Sequence, residues 1–482
     1  MIIHLNFLPK PGETGAGDVL AALFTLLDQG RLDPEMLPHL RLHLDWIQYK
    51  ANFREPITVR HATDVRGERM ALAELAVDLR RASRDSLIDD LAGAVASVGA
   101  GERDGGGRVI VDDWAPLGES SIWQFNRLFW QRLADWERQS GRGFEAALPS
   151  GRSDANDPAA VADAVADFWT LLVELDKRGQ LPPEIFALEI GVGSGTRAGL
   201  WLDRFKAIDE ARATGFYPRL RFLLADYSLP TLDRAMSAVE AHRDVVSMIA
   251  TDALNPLRAL SFLRYKILSV HLTNVYDNLP VDELVRRDGQ LYLVETRAYL
   301  PGPVARAIAS AHGVGPNELR PTIARLLETG PDLFGDRDRG VAFWRTVWDG
   351  LCLEERLRRL EGTADVPLPP GLHGDDLDEL LATGPADIRF HISRGAVESF
   401  VNTVPLLHPR GYLQVQDIFV ATMDEYRQGF RGPGKLDGSV VNWVNGALLR
   451  AVGARAGYDV HFAPFRYRAG SRTSILYTTL RE

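Results

Sequence analysis

Cysteine is nearly missing from this chain of 482 residues, where Cys352 stands alone. A single thiol excludes an intramolecular disulfide framework and any cysteine-rich zinc or iron–sulfur site. Lysine is scarce too, six of the 55 basic residues, and no function is read from that. No apolar run approaches the ~20 residues that a membrane helix needs. The longest, Val19 to Leu27, is closed by Asp18 and Asp28. The first residues carry no charged segment, and Pro9 and Pro11 break the pattern too early for a signal peptide. A cytoplasmic, reducing setting is expected. The formal charge of −10 argues against nonspecific nucleic-acid binding. Neither nucleic acid nor membrane is therefore expected as a partner. What the chain does have is apolar content, 45%, which excludes disorder over most of its length.

Three Gly/Pro-rich breaks divide the chain: Gly99 to Gly107, Pro149 to Pro158, and Val366 to Pro385. The text before residue 180 reads as a mostly helical N-terminal region with a linker near 99–107. Asp18 is expected to cap an apolar helix, and Leu72, Leu75 and Leu79 recur at helical intervals. Five of the ten tryptophans fall between Trp114 and Trp169. Ser120 or Ser121 is expected to open an aromatic helix there, with Ile122, Phe125, Phe129 and Leu133 on one stripe. Trp123, Trp130 and Trp136 widen it. Such a helix is either buried between two layers or a wall over a ligand pocket.

From Ile185 the rhythm becomes strand–helix alternation, the mark of an α/β fold with a doubly wound, mostly parallel sheet. Strands are expected at Phe186–Ile190, Arg221–Tyr227, Val245–Asp252, Lys266–Asn274 and Gly411–Phe419. A terminal pair, YDVHFAPF and TSILYTTL, brings the sheet to seven strands. Residues 181–482 thus read as one α/β domain, with a helical insertion at about 296–390.

The strongest local signal is Glu189-Ile-Gly191-Val-Gly193-Ser-Gly195-Thr, at a strand end and opening a helix. Three glycines let the backbone approach a ligand, and the helix start offers free N–H groups. The run Gly193 to Ala198 also fits a dinucleotide fingerprint, so an NAD(P)-dependent oxidoreductase is the competing reading. Three acids favour S-adenosylmethionine instead. Glu189 suits a ligand bearing an ammonium and a sulfonium, and is ill placed beside a pyrophosphate. Asp226, ending the second strand, can accept both ribose hydroxyls. Asp252-Ala253, after the third, is placed to bond an adenine amino group. The bland alternative, that each acid caps a helix, fits any one of them better than all three at successive strand ends.

With these residues the chain resembles the class I S-adenosylmethionine-dependent methyltransferases. More narrowly, from about Ile185 to Leu480 it is similar to the MidA-type methyltransferases linked to mitochondrial respiratory complex I. The segments carrying that likeness are LEIGVGSG, LTNVYDNLPVDELVRRDGQLY, FHISRGAVESFVNTVPLLHPRGYLQVQD and YRQGFRGPG followed by DGSVVNWVNGALL. The resemblance implies a Rossmann-like sheet, S-adenosyl-L-methionine as cofactor, and Gly191, Gly193, Gly195, Asp226 and Asp252 as its site. It would also imply protein arginine methylation or a respiratory assembly role. Two departures separate the chain from that pattern. Thr273-Asn274 stands where an Asn-Glu pair is usual, and neutral Asn274 cannot pair a guanidinium. The family's N-terminal signature has no counterpart here either. A noncatalytic scaffold that keeps the cofactor site is a third reading.

Methyl transfer from a sulfonium is an in-line displacement that depends on positioning and desolvation. The residues expected beside the methyl group are Asn274, Tyr276 and Asp277. His271 reads as a satisfied core histidine, Asp417 as a residue of the same rim, and the loop Arg431 to Lys435 as a solvated segment carrying two cations. No nucleophile elbow and no metal-ligand spacing occurs. The two blocks flanking the fourth strand would shape an enclosed acceptor pocket, with Ile122–Trp136 as its wall. A small-molecule acceptor is expected over a protein substrate.

Overall fold

The computed structural model describes residues 2–6, 14–45, 47–99, 107–148, 150–428 and 432–481. The expected linker at 99–107 lies almost wholly outside them. β1 (Ile2–Asn6) leads to α1 (Ala16–Asp28), followed by β2 (Leu40–Asp45), β3 (Ile57–Thr63), β4 (Arg69–Asp78) and α2 (Leu87–Gly99). The N-cap of α1 is Gly15, not Asp18; Asp18 sits three residues inside and accepts the Gly15 N–H at 2.7 Å. The helix expected from Leu72, Leu75 and Leu79 is corrected to a strand, since Leu72 and Leu75 lie in β4. Ala73, Leu75 and Val77 face α1 and α2. Glu74, between them, turns to the opposite face and bonds Arg60. Burial on both faces overrides the helical preference of alanine, leucine and glutamate.

Short β5 (Val109–Ile110) and β6 (Ala115–Pro116) precede the aromatic segment. It forms two helices, α3 (Ser121–Gln131) and α4 (Leu133–Ser140), parted at Arg132, with Ser120 as the N-cap of α3. Its stripe is buried as the spacing predicts. Next comes α5 (Pro158–Lys177), capped by Asp157, which accepts the N–H groups of Ala159 and Ala160.

The alternating region follows: β7 (Ile185–Ile190), α6 (Thr196–Arg212), β8 (Leu220–Asp226), α7 (Leu229–Ala238), β9 (Val246–Ala250), α8 (Pro256–Leu260) and β10 (Ile267–Thr273). Then β11 (Asp282–Arg287) and β12 (Gln290–Leu300) form a hairpin. Helices α9 (Gly302–His312), α10 (Leu319–Thr329) and α11 (Arg337–Gly350) lead to β13 (Cys352–Arg359), α12 (Gly374–Thr383), β14 (Ile388–Ile392) and α13 (Arg394–Thr403). After β15 (Leu407–Asp417) come two small pairs, β16 (Phe419–Val420) with β19 (Val444–Asn445), and β17 (Gly434–Leu436) with β18 (Ser439–Val441). The chain closes with α14 (Gly446–Arg455), β20 (Tyr458–Pro464) and β21 (Ser474–Leu480).

The fold is α/β, built on two large sheets. The first has the order β20-β21-β15-β10-β7-β8-β9, with five parallel strands and β21 antiparallel to both neighbours. One of its faces packs against α5, α6 and α7 through Ala187, Phe222 and Leu224. The other packs against α8, α13 and α14 through Leu188, Leu223 and Val270.

The second sheet corrects the expected domain plan. Its order is β1-β2-β4-β3-β13-β12-β11-β14, with β5 and β6 also on β12. Residues 1–180 are therefore not a mostly helical block, and 296–390 is not a purely helical insertion. Strands from both regions, together with the β11–β12 hairpin, build one ten-stranded sheet. Its inner face carries buried ion pairs, among them Arg389 with Glu283 and Glu355. The β3–β4 and β11–β12 hairpins are local, but β13 pairs with β3 and β14 with β11 across long stretches of sequence, which is why local periodicity does not show the sheet. No helix among the described residues is long and apolar enough to cross a membrane.

Candidate active site

The glycine loop leaves β7 and enters α6 with Gly191, Gly193 and Gly195 all at positive φ, 74°, 53° and 77°. L side chains rarely adopt this region. A Cβ on Gly191 would meet Val275 Cγ2 at 2.5 Å, and one on Gly195 the Ala235 backbone at 2.7 Å. Gly193 differs: a Cβ there would meet no protein atom within 4 Å. It lines a cavity of about 460 Å³ lying over the strand ends.

Three acids face that cavity. Glu189 Oε2 accepts from Arg197 Nη1 at 2.7 Å, and both residues are buried. Burial raises the Glu189 carboxyl above its ordinary range while the Arg197 charge opposes the rise. Asp226 Oδ1 accepts the Ser228 N–H at 2.9 Å. Burial pushes its carboxyl up to about 6, against backbone hydrogen bonds from Ser228 and Tyr227 that lower it. Asp252 Oδ1 accepts the Leu254 N–H at 2.9 Å, and Ala253 lines the cavity beside it. The local caps and turns of the bland reading are thus real, and all three residues line the cavity as well.

On the β10 side the sequence reading holds only in part. Asn274 lines the cavity at a φ of 50°, which asparagine tolerates better than most residues. Tyr276 and Asp277, expected beside the methyl group, do not line it. Tyr276 is packed in the core against α13, and Asp277 turns its carboxylate to Asn278 Nδ2 at 2.6 Å. The intervening one-turn helix at Tyr276–Asn278 rotates both away from the strand end. Asp417 is corrected as well, being wholly buried rather than at the rim. It accepts the N–H groups of Tyr276, Asp277 and Ile418. Its carboxyl is pushed up to about 7 by burial, and Asp277 is raised by burial and by Asp417. His271 is a core histidine as read, bonded to Gln414 and Thr273. Burial, with Arg197 adding to it, holds its imidazole neutral. Arg431 lies outside the described residues. Lys435 is buried, and its Nζ donates to the carbonyls of Trp348, Asp349 and Leu351 rather than to a ligand.

The opposite wall comes from α3, the start of α4 and the chain after it. Trp123, Trp130, Leu133, Phe144 and Leu148 give it an apolar surface, edged by Glu119 and Glu145. Asn278 ties wall to floor: its Oδ1 accepts from Trp130 Nε1 at 3.1 Å, and its Nδ2 donates to the Asn274 carbonyl at 3.1 Å.

No protein-family model matches the chain, and no curated protein matches it. Among solved structures, it overlaps a "likely methyl transferase" from Burkholderia thailandensis bound to S-adenosyl-homocysteine. Identity there is 12% over 82% of this chain and 92% of that one, at a TM-score of 0.45. The CcbJ methyltransferase from Streptomyces caelestis overlaps 67% of this chain and 90% of its own at 12% identity and a TM-score of 0.30. These overlaps are loose.

Sequence reasoning missed Arg197, Tyr227 and Asn278 at this site. For Arg197 a signal existed. It heads the stripe Arg197-Trp201-Phe205 on α6, whose other members are buried in the core. A charge at the top of an apolar stripe needs a buried partner. Tyr227 follows Asp226 and its hydroxyl reaches the Arg127 carbonyl at 3.4 Å, a contact that no local pattern announces.

Proposed function

We propose that the chain is an S-adenosylmethionine-dependent methyltransferase acting on a small acceptor. One observation carries this reading. Four neighbouring strands, β9, β8, β7 and β10, end at one cavity with Asp252, Asp226, Glu189 and Asn274 in that spatial order. The order of all seven strands, with the last reversed, supports the class I arrangement that the sequence resembles.

The residues fit the cofactor. Gly193 leaves backbone open to close approach, Asp226 presents a carboxylate for two ribose hydroxyls, and Asp252 with Ala253 offers an edge for adenine. When bound, S-adenosylmethionine supplies a methyl group on a sulfonium, open to in-line displacement by an acceptor lone pair. The chain's own part is positioning and water exclusion. Trp123, Trp130 and Phe144 cover the β10 end, and Asn278 keeps Asn274 in place. Neither residue of the buried Asp277–Asp417 pair lines the cavity, so neither is placed to act as a base there. The apolar wall favours a small molecule over a cationic arginine side chain.

Thermal denaturation tests the cofactor. S-adenosylhomocysteine at about 100 times its dissociation constant should stabilise the fold by ~2.7 kcal/mol, with no effect from NADH. A shift with NADH and none with the adenosyl ligand overturns the reading. Labelled methyl transfer into cell extract tests the acceptor: label confined to protein arginine would sink the small-molecule assignment.

A further inference from the structure

We propose that Glu145 is the carboxylate that contacts the methyl acceptor. Its open oxygen takes a hydrogen bond from an O–H or N–H group of a small, largely apolar compound and receives that proton as the methyl group is transferred. This rests on the reading above and names the class of compound methylated there.

Glu145 lies in a short helical turn, Phe144–Ala147, that follows α4. Both Phe144 and Glu145 line the cavity. A chain of contacts ties this turn to the β10 end. Asn278 holds Asn274 and accepts from Trp130, and the Phe144 ring meets the Trp130 ring edge-on at 4.7 Å between centroids. The Phe144 N–H donates to Glu137 Oε1 at 2.9 Å, which fixes the start of the turn.

Glu145 Oε1 accepts from Asn156 Nδ2 at 3.1 Å. Asn156 is steadied in turn by Asp154, two residues before it, whose Oδ2 accepts from Arg468, Ser471 and Thr473 in the loop between β20 and β21. Glu145 Oε2 has no protein partner among the described residues. The other acids of the cavity are differently placed. Glu189, Asp226 and Asp252 stand at the strand ends assigned to the cofactor, and Glu119 is 58% exposed and leans toward Arg394 at 3.8 Å.

One open oxygen decides the chemistry. A guanidinium pairs best with both oxygens of a carboxylate, and Asn156 occupies one of them. A single hydroxyl or amine needs only the other. Trp130, Phe144 and Leu148 around it suit an apolar body with one polar handle. In the transfer, a lone pair on the acceptor oxygen or nitrogen forms the bond to the methyl carbon. The carbon–sulfur bond breaks, and its electron pair stays on sulfur. The acceptor proton passes to Glu145, which is half-buried and returns it to solvent.

Protein-free cell extract and S-adenosylmethionine with a carbon-13 methyl group test this. Wild-type protein should give a product whose carbon-13 shift places the label on oxygen or nitrogen. Glu145→Gln keeps an oxygen for Asn156 and removes the charge. It should slow label transfer by about a hundredfold or more, the loss expected for a positioned base. Affinity for S-adenosylhomocysteine should stay within about twofold. If Glu145→Gln does not fold, Glu145→Asp, which retracts the carboxylate by one methylene, should show the same split between rate and affinity. Label on carbon, an unchanged rate in Glu145→Gln, or equal loss of rate and cofactor affinity overturns the role of Glu145 while leaving the reading above standing. Failure of wild-type protein to label any small molecule overturns that small-acceptor reading itself.

Discussion

Trp130 Nε1 donates to Asn278 Oδ1 at 3.1 Å, joining the aromatic helix to the turn that follows β10. The same Asn278 holds Asn274, whose backbone sits at positive φ on the cavity floor. Wall and floor are therefore linked through one side chain. Trp130→Phe keeps an aromatic ring but trims the indole and removes the donor, a loss of at least about 0.5–1.5 kcal/mol. Affinity for S-adenosylhomocysteine should stay within about twofold, since the cofactor acids are untouched. Label transfer into a small-molecule extract should fall by more than that.

Asp226 should make cofactor binding pH-dependent. Burial holds its carboxyl near 6 in the free protein, and only the ionised form accepts from both ribose hydroxyls. Affinity should be full above that value and fall toward one decade per pH unit below it. Titrations near pH 6 in buffers of different ionisation enthalpy should show proton release on binding. Asp226→Ala should cost roughly ten- to hundredfold in affinity and flatten the profile.

The buried Asp277–Asp417 pair makes the opposite kind of prediction, about stability. Both carboxyls are raised in the folded state, so the unfolded chain releases their protons more readily. Folding is then favoured at low pH and weakened as pH rises from about 4 through about 7. Asp277→Asn removes one charge and keeps an acceptor for Asn278. Its melting temperature should exceed that of the parent at pH 8, and the gap should close at pH 5.

Arg389 sits between Glu283 and Glu355 on the ten-stranded sheet, with Nε to Glu283 Oε2 at 2.7 Å and Nη2 to Glu355 Oε1 at 3.0 Å. Burial alone would raise Glu355, yet Arg389, Arg60 and Arg54 together hold it well below the carboxylate range. Arg389→Leu removes the arginine shared by two buried acids, leaving Glu283 to His391 and Glu355 to Arg60, and should destabilise by about 3–5 kcal/mol. Adding Glu283→Gln and Glu355→Gln should recover part of the loss in denaturant titrations. No recovery would mean that arginine packing, not charge, was lost.

The parallel strands and the glycine loop were legible because they are local. Apolar runs of five to seven residues, closed by acids and by glycines at positive φ, specify strand ends whatever surrounds them. The aromatic stripe from Ile122 to Leu133 was equally plain, since 3.6-residue periodicity is a property of the segment itself. Leu72, Leu75 and Leu79 show the limit. Their spacing fits a helix, but pairing of β4 with β2 and β3 places alternate residues on two buried faces.

By itself, then, the sequence determined the strand–helix order from Ile185 and the positions of Glu189, Asp226 and Asp252 at successive strand ends. Only the tertiary structure decided that residues 1–99 and 282–392 share one sheet, because strand partners are chosen by long-range burial and not by local pattern. It also decided which acids serve the cavity. One short helical turn carries Tyr276 and Asp277 inward, while the fold of the glycine loop brings Arg197 onto Glu189. Side-chain direction after a turn depends on what the turn packs against, and that information lies elsewhere in the chain.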